Sequence, residues 1–219
     1  MSNESEILEA VKSGDIEKVE SLLTAEPNLI YSKTEDQVPI VLLATYQRNP
    51  RLLEVLLSNS NYELSVFEAA ALGVNERVQE LLTNQPDLLN AYAPDGFSPL
   101  GLASFFGHSD TVKLLIEKGA DVNQPSNNAW QVQPLHSAVA SRNLETVTLL
   151  LQQGADINAT QQHGFTPLHT AAQHGDANMI KLLLEHKADI NAVTKAGETA
   201  MDIALQCKHT EAAHMFVAG

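Results

Sequence analysis

One cysteine in 219 residues, Cys207, excludes an intramolecular disulfide and fits a reducing, cytoplasmic setting. It falls in the last helical segment with no evident histidine partner, so it reads as a buried, inert thiol. Aromatic residues make up only 5% of the chain, which excludes a core built on large rings and leaves Leu, Ala, Val and Ile to build it. Bases are scarce as well: 13 Lys and Arg against 27 Asp and Glu give a net charge of −14. Such a field repels phosphate backbones and anionic lipid, so neither nucleic acid nor a membrane is expected as a partner. The same acidity keeps an extended surface soluble and would steer in a basic protein. No apolar run approaches the ~18 residues of a membrane span, and the opening MSNESEILEA has neither region of a signal peptide. G-x-S-x-G is missing, and Gly96, Gly164 and Gly197 are spaced as turn glycines rather than gathered into a phosphate cradle.

What the chain does have is a period. TPLHTAAQHGDANMIKLLLEHKADIN, starting at Thr166, has a near-copy, QPLHSAVASRNLETVTLLLQQGADIN, 33 residues earlier at Gln133. Thr166 before Pro167 marks a helix start: the hydroxyl can cap free N–H groups, and proline suits the first helical position. Ala171 and Ala172 let that helix pack close to its neighbours, and Gly175 permits the left-handed residue that ends it. Ile180, Leu183 and Leu184 then form the apolar stripe of a second helix. A turn at Ala196-Gly197 precedes the next start at Thr199. One helix pair cannot bury both of its faces, so the pairs must stack.

These copies resemble the ankyrin repeat, whose signature is TPLHxAA, then G, then LLxxGADxN. The resemblance implies an all-α helical-repeat solenoid with short β-turn fingers, forming a single domain over 1–219. A third clear copy runs from Ser98-Pro99-Leu100 to Asp121-Val122-Asn123. Poorer ones lie at Phe67-Glu68-Ala69-Ala70, where the TPLH start is lost, at Pro39-Ile40, and at Ile7 to Leu23. Seven units follow, at approximately 4–34, 35–62, 63–92, 93–127, 128–160, 161–193 and 194–219, with the outer ones as caps and one continuous core between them.

Connector lengths refine this. From the last leucine of one pair to the apolar residue opening the next, Leu23 to Ile40, Leu151 to Leu168 and Leu184 to Met201 each span 17 residues, and Ile116 to Leu135 spans 19. Leu57 to Val66 spans 9, short by about the length of a hairpin finger. Residues 58–63 are therefore expected to join two helices directly, interrupting the row of fingers.

Eight histidines raise the question of a metal. His163, His169 and His174 are close in sequence, but no cysteine or carboxylate stands at zinc-like spacing, so no metal or cofactor is expected. In ankyrin-like units the histidine at the positions of His136 and His169 ties neighbouring turns together, and Asp202 reads as a structural variant of it. His108 and His186 read as helix-end residues. No catalytic constellation emerges. An enzyme hidden in the irregular N-terminal units is the rival reading, yet residues 36–64 hold neither His nor Cys.

The resemblance therefore implies a non-catalytic module that binds another protein along its concave face, as an adaptor or as an inhibitor or regulator of an enzyme. Mapped onto this sequence, that face comprises Asp95, Phe97, Phe105, Phe106, Trp130, Val132, His163, Phe165, Gln173 and His174, with Ala140 and Ser141 between. Trp130 lies in the lengthened connector QPSNNAWQVQ, where there is little core for it to enter, and large aromatics anchor interfaces. Phe97 and Phe165 are expected to pack between fingers instead. Phe105 and Phe106, adjacent on one helix, are expected to face different ways.

Overall fold

The computed structural model describes residues 2–58 and 61–217. The chain forms successive antiparallel helix pairs: α1 (Asn3–Ser13) with α2 (Ile16–Ala25), α3 (Ile40–Tyr46) with α4 (Pro50–Leu57), and α5 (Val66–Leu72) with α6 (Asn75–Asn84). Then come α7 (Pro99–Phe106) with α8 (Ser109–Glu117), α9 (Pro134–Ala140) with α10 (Leu144–Gln152), α11 (Pro167–Gln173) with α12 (Ala177–Glu185), and α13 (Ala200–Gln206) with α14 (Thr210–His214). Each first helix packs on the first helix of the next pair, from α1 on α3 through to α11 on α13. The result is an all-α solenoid of stacked pairs. Among the described residues there is no strand, only isolated antiparallel bridges at Lys33–Pro39 and Val193–Thr199.

The starts of the first helices share one chemistry. Thr166 accepts the His169 amide, while the His169 ring takes the Thr166 amide in return. Thr199 and Asp202 make the same reciprocal pair, so the aspartate does the local work of the histidine. Ser65 and Glu68 do so too. The third unit has lost the letters TPLH but not the cap, and its S-x-x-E spacing is a capping box legible in sequence.

A second device links pairs at the other end of these helices. Gly73 and Gly175 have φ of +74° and +65°, and a Cβ on either would lie 2.7 and 2.6 Å from the rings of His108 and His209. Those rings bond back across the stack, His108 Nε2 to the Ala71 carbonyl at 3.0 Å and His209 Nε2 to the Gln173 carbonyl at 3.2 Å. His108 is thus more than a helix-end residue: it ties α8 to the end of α5. Along the loops, Asn90, Asn123 and Asn158 each accept the amide of the next unit's Asp121, Asp156 or Asp189 at 2.8–3.0 Å. This ladder is the physical content of the recurring GADxN.

The expectation of one continuous core needs correction. Buried apolar residues from Ile7 to Leu56 form one cluster and those from Val66 to Phe216 another. Between them sits a bridging group of Leu42, Ala71, Ala93 and Leu102. The seam falls at the short link, where α5 presents alanines (Ala69, Ala70, Ala71) and the buried Glu68 carboxylate. Glu68 accepts from the Tyr62 hydroxyl and from Ser65. Half-buried Leu64 packs against both clusters and Leu72 against the first, so the small and polar groups narrow the apolar contact at the seam without interrupting it. In the link itself, residues 58 and 61–63 form no finger, and 59 and 60 lie outside the described residues.

Candidate partner-binding surface

The fingers are built alike. A backbone bond of 2.8–2.9 Å runs from the N–H of Thr34, Ala93, Gln161 or Thr194 to the carbonyl four residues on. In the lengthened finger, the Ser126 N–H reaches Val132 instead, six residues on, at 2.9 Å. The two extra residues therefore lie in the tip that carries Trp130.

Four fingers are joined in a row. Asn127 N–H bonds the Gly96 carbonyl at 2.7 Å, Gln162 N–H the Trp130 carbonyl at 2.9 Å, and Lys195 N–H the His163 carbonyl at 2.8 Å. In the two regular fingers that donate, Gln162 and Lys195 are the second residue. The first finger of the row has Pro94 there, which has no N–H to give. Proline at an unpaired edge is a sequence signal that the row begins at this finger.

Trp130 is 61% exposed, although its backbone is fixed on both sides. Its N–H donates to Asn128 Oδ1 at 3.0 Å, its carbonyl takes Gln162, and Gln131 after it is left-handed at φ 51°. Val132 is half-buried at the finger's base, its N–H on Ser126 Oγ at 2.8 Å. His163 is an exposed tip residue at φ 64°. Phe165 is half-buried with its ring 5.6 Å from that of His169, and its carbonyl accepts from His136 Nε2. Phe97 packs against the bridging group of the core.

A second constellation gathers around Tyr46. Its hydroxyl donates to Asp95 Oδ2 at 2.7 Å. Its ring lies 5.8 Å from Phe105 and 5.2 Å from Phe106, and those two rings meet at 89°. The expected divergence of the two phenylalanines is therefore corrected: both pack on Tyr46, differing in tilt rather than in side. The small residues of α5 let Tyr46 pass beyond the neighbouring unit and reach α7. Arg48 stands over Phe105 at 5.9 Å and donates to its carbonyl at 3.3 Å. Burial, then the Asp95 carboxylate, raises the Tyr46 hydroxyl well above the usual phenol range, so it stays a neutral donor.

Gln173 and His174 form a third group at the end of α11. The Gln173 carbonyl takes His209, and the His174 carbonyl takes Arg142 Nη2 at 3.1 Å. Burial, and then the Arg142 charge, holds His174 below the usual imidazole range. The expected residues thus fall into three neighbourhoods: the finger row, the Tyr46 cluster and the α11 end. Sequence reasoning offers the irregular units around Tyr46 and Tyr62 only as the alternative site, and it misses Arg48 and Arg142, whose reach across units no spacing rule reveals.

Little here resembles reaction chemistry. His136 is 1% exposed and pushed by burial down to about 4; His169 is lowered by burial too. Both rings span to the next finger, to the carbonyls of Phe165 and Glu198 at 3.3 and 3.1 Å. Among the described residues no three His, Cys, Asp or Glu side chains are placed to hold a metal, and no helix is long and apolar enough to cross a membrane. Cys207 is exposed rather than buried, because it follows the last residue of α13, beyond the face that buries Ile203 and Ala204.

The chain is 42% identical over 65 residues to the serine/threonine-protein kinase VIK of Arabidopsis thaliana, covering 30% of this chain and 14% of that protein. It is 38% identical over 66 residues to the ankyrin repeat and SAM domain-containing protein 6 of Mus musculus, covering 30% and 8%. Against the human DNA-binding protein RFXANK it is 41% identical over 58 residues, covering 26% and 22%. The chain thus spans less than a quarter of the length of these relatives, and the kinase match covers the repeat region alone. The family model for ankyrin repeats (3 copies) matches residues 66–161 and 135–219. Stacked pairs, fingers and the asparagine ladder agree with it, and the chain belongs to the ankyrin-repeat family.

Proposed function

We propose that this chain is a non-catalytic protein-binding module that engages its partner along the concave face, with Trp130 as the anchor. One observation carries the reading: a large aromatic stands 61% exposed on a finger whose backbone is hydrogen-bonded to both neighbours. Such a ring loses little conformational freedom on binding and offers a large apolar contact. In this reading the face extends from Trp130 to Asp95, Phe97, Phe105, Phe106, Val132, His163, Phe165, Gln173 and His174. Adaptor and enzyme regulator are both compatible with such a face. DNA, which the name of the relative RFXANK mentions, is a poor fit to a chain of net charge −14, and the single cysteine fits a cytoplasmic setting.

Affinity purification with the chain as bait, followed by titration of the captured partner, tests the anchor. Trp130→Ala should weaken binding by about 2 kcal/mol or more with melting nearly unchanged. A Trp130→Ala chain that binds its partner normally would place the site elsewhere.

A further inference from the structure

Just past the end of each first helix the chain turns through one left-handed residue. Gly14, Gly73, Gly107 and Gly175 fill that position in four units, and a base fills it in the other three: Arg48 at φ 52°, Arg142 at φ 57° and Lys208 at φ 63°. A side chain is strained in that conformation and glycine is not. The bases therefore stand where the fold alone asks for glycine.

The two arginines also lack what the chain's other arginines have. Arg51 and Arg77, on the second helices α4 and α6, pair with Glu54 and with Glu63 and Glu80. Among the described residues Arg48 and Arg142 have no carboxylate partner, although the chain carries 27 acids. Each gives one Nη2–H to a main-chain carbonyl, Arg48 to Phe105 at the end of α7 and Arg142 to His174 just after α11. Both residues are exposed. The rest of each guanidinium fork is open to solvent, and that fork matches a carboxylate.

Only α9 separates α7 from α11 in the stack. Two packing steps of about 9 Å put the guanidinium groups roughly 18 Å apart, which an extended chain covers in about six residues. Between them, at the end of α9, stand the small residues Ala140 and Ser141, which keep that stretch free of bulk.

We propose that the helix-end side of the concave face takes an extended acidic segment of a partner protein, with carboxylates about six residues apart on Arg48 and Arg142. The sign is opposite to the one that net charge alone suggests. Bonds made at contact outweigh the distant acids, which salt screens within about 8 Å. The inference rests on the protein-binding reading but not on Trp130, which lies on the finger side, before α9 begins.

The test uses the full chain and an end-blocked, rhodamine-labelled peptide, Glu-Ser-Leu-Ser-Leu-Ser-Glu, with a control carrying Gln for both Glu. The natural chain should bind the Glu peptide about tenfold tighter than the control or better. Arg48→Gly/Arg142→Gly installs the residue that other units use, so melting should hold or rise while the preference falls below about twofold. Arg48→Gln/Arg142→Gln, which keeps the backbone strain, should lose the preference as well. Lys113→Gln/Lys187→Gln, an equal charge change at exposed sites on α8 and just after α12, should keep it within about twofold. Trp130→Ala should leave it unchanged. A natural chain without the preference would overturn the proposal, and so would an equal loss in the lysine variant. A glycine variant that melts lower and keeps the preference would make the arginines structural ties and overturn it too. Binding lost on Trp130→Ala but kept in both arginine variants would overturn it while leaving the anchor reading in place.

Discussion

Single side chains carry unequal weight in this stack. Leu150 and Leu183 are both wholly buried on second helices, where truncation removes apolar contact and leaves a cavity the rigid neighbours fill poorly. Leu150→Ala or Leu183→Ala should each destabilise by roughly 2–5 kcal/mol in urea denaturation; values below about 1 kcal/mol for both would contradict the packing. His136 adds a pH term. Its folded value of about 4 lies below the ~6.5 of an unfolded histidine. Between those values the unfolded chain binds the extra proton, so this stabilisation is complete above pH ~6.5 and is lost as pH falls toward 4. Urea midpoints over that window should fall more steeply for the natural chain than for His136→Gln. An identical slope would show that His136 is not held neutral.

At the scale of helices and turns, the glycines at the ends of the first helices do a different job from those after the second. Gly154 is left-handed at φ 85°, with nothing within 4 Å of a built Cβ. Gly154→Ala should then cost only backbone strain, about 1 kcal/mol. Gly175 has the same handedness and the His209 ring 2.6 Å away. Gly175→Ala should cost at least about 1 kcal/mol more, because the ring must move and loses its bond to the Gln173 carbonyl. Thermal melts of the two variants compare these directly, and equal losses would show that the ring yields freely. The repeat pattern marks both glycines alike; only the stack separates them.

Across the whole molecule, the seam between the two buried clusters should divide the response to stress. Repeat arrays gain stability from nearest-neighbour interfaces, and the interface at α5 combines alanines and one buried carboxylate with Leu64, Leu72 and the ring of Tyr46. Native-state hydrogen exchange should show α1–α4 opening at a lower free energy than α9–α12. Tyr46→Ala, which removes the contacts to Asp95, Phe105 and Phe106, should lower that opening energy while leaving α9–α12 protected as before. One shared opening energy for every core amide would mean that the seam transmits stability as well as the regular interfaces do.

The sequence by itself determined the period, the helix pairs, the finger turns and the short link at 58–63, because each depends on local rules: caps, left-handed glycines, apolar stripes and connector length. Two further local signals were present and are easily passed over, the S-x-x-E box at Ser65–Glu68 and Pro94 at the edge of the finger row. The stack alone decided the split core, the exposed Cys207 and the meeting of both phenylalanines on Tyr46. Tyr46 and Asp95 are 49 residues apart, and their contact depends on how small the helix between them is. Spacing along a chain encodes what a segment does to itself. Which side chain reaches across a neighbouring unit is fixed only when the units stack and the volume between them is set.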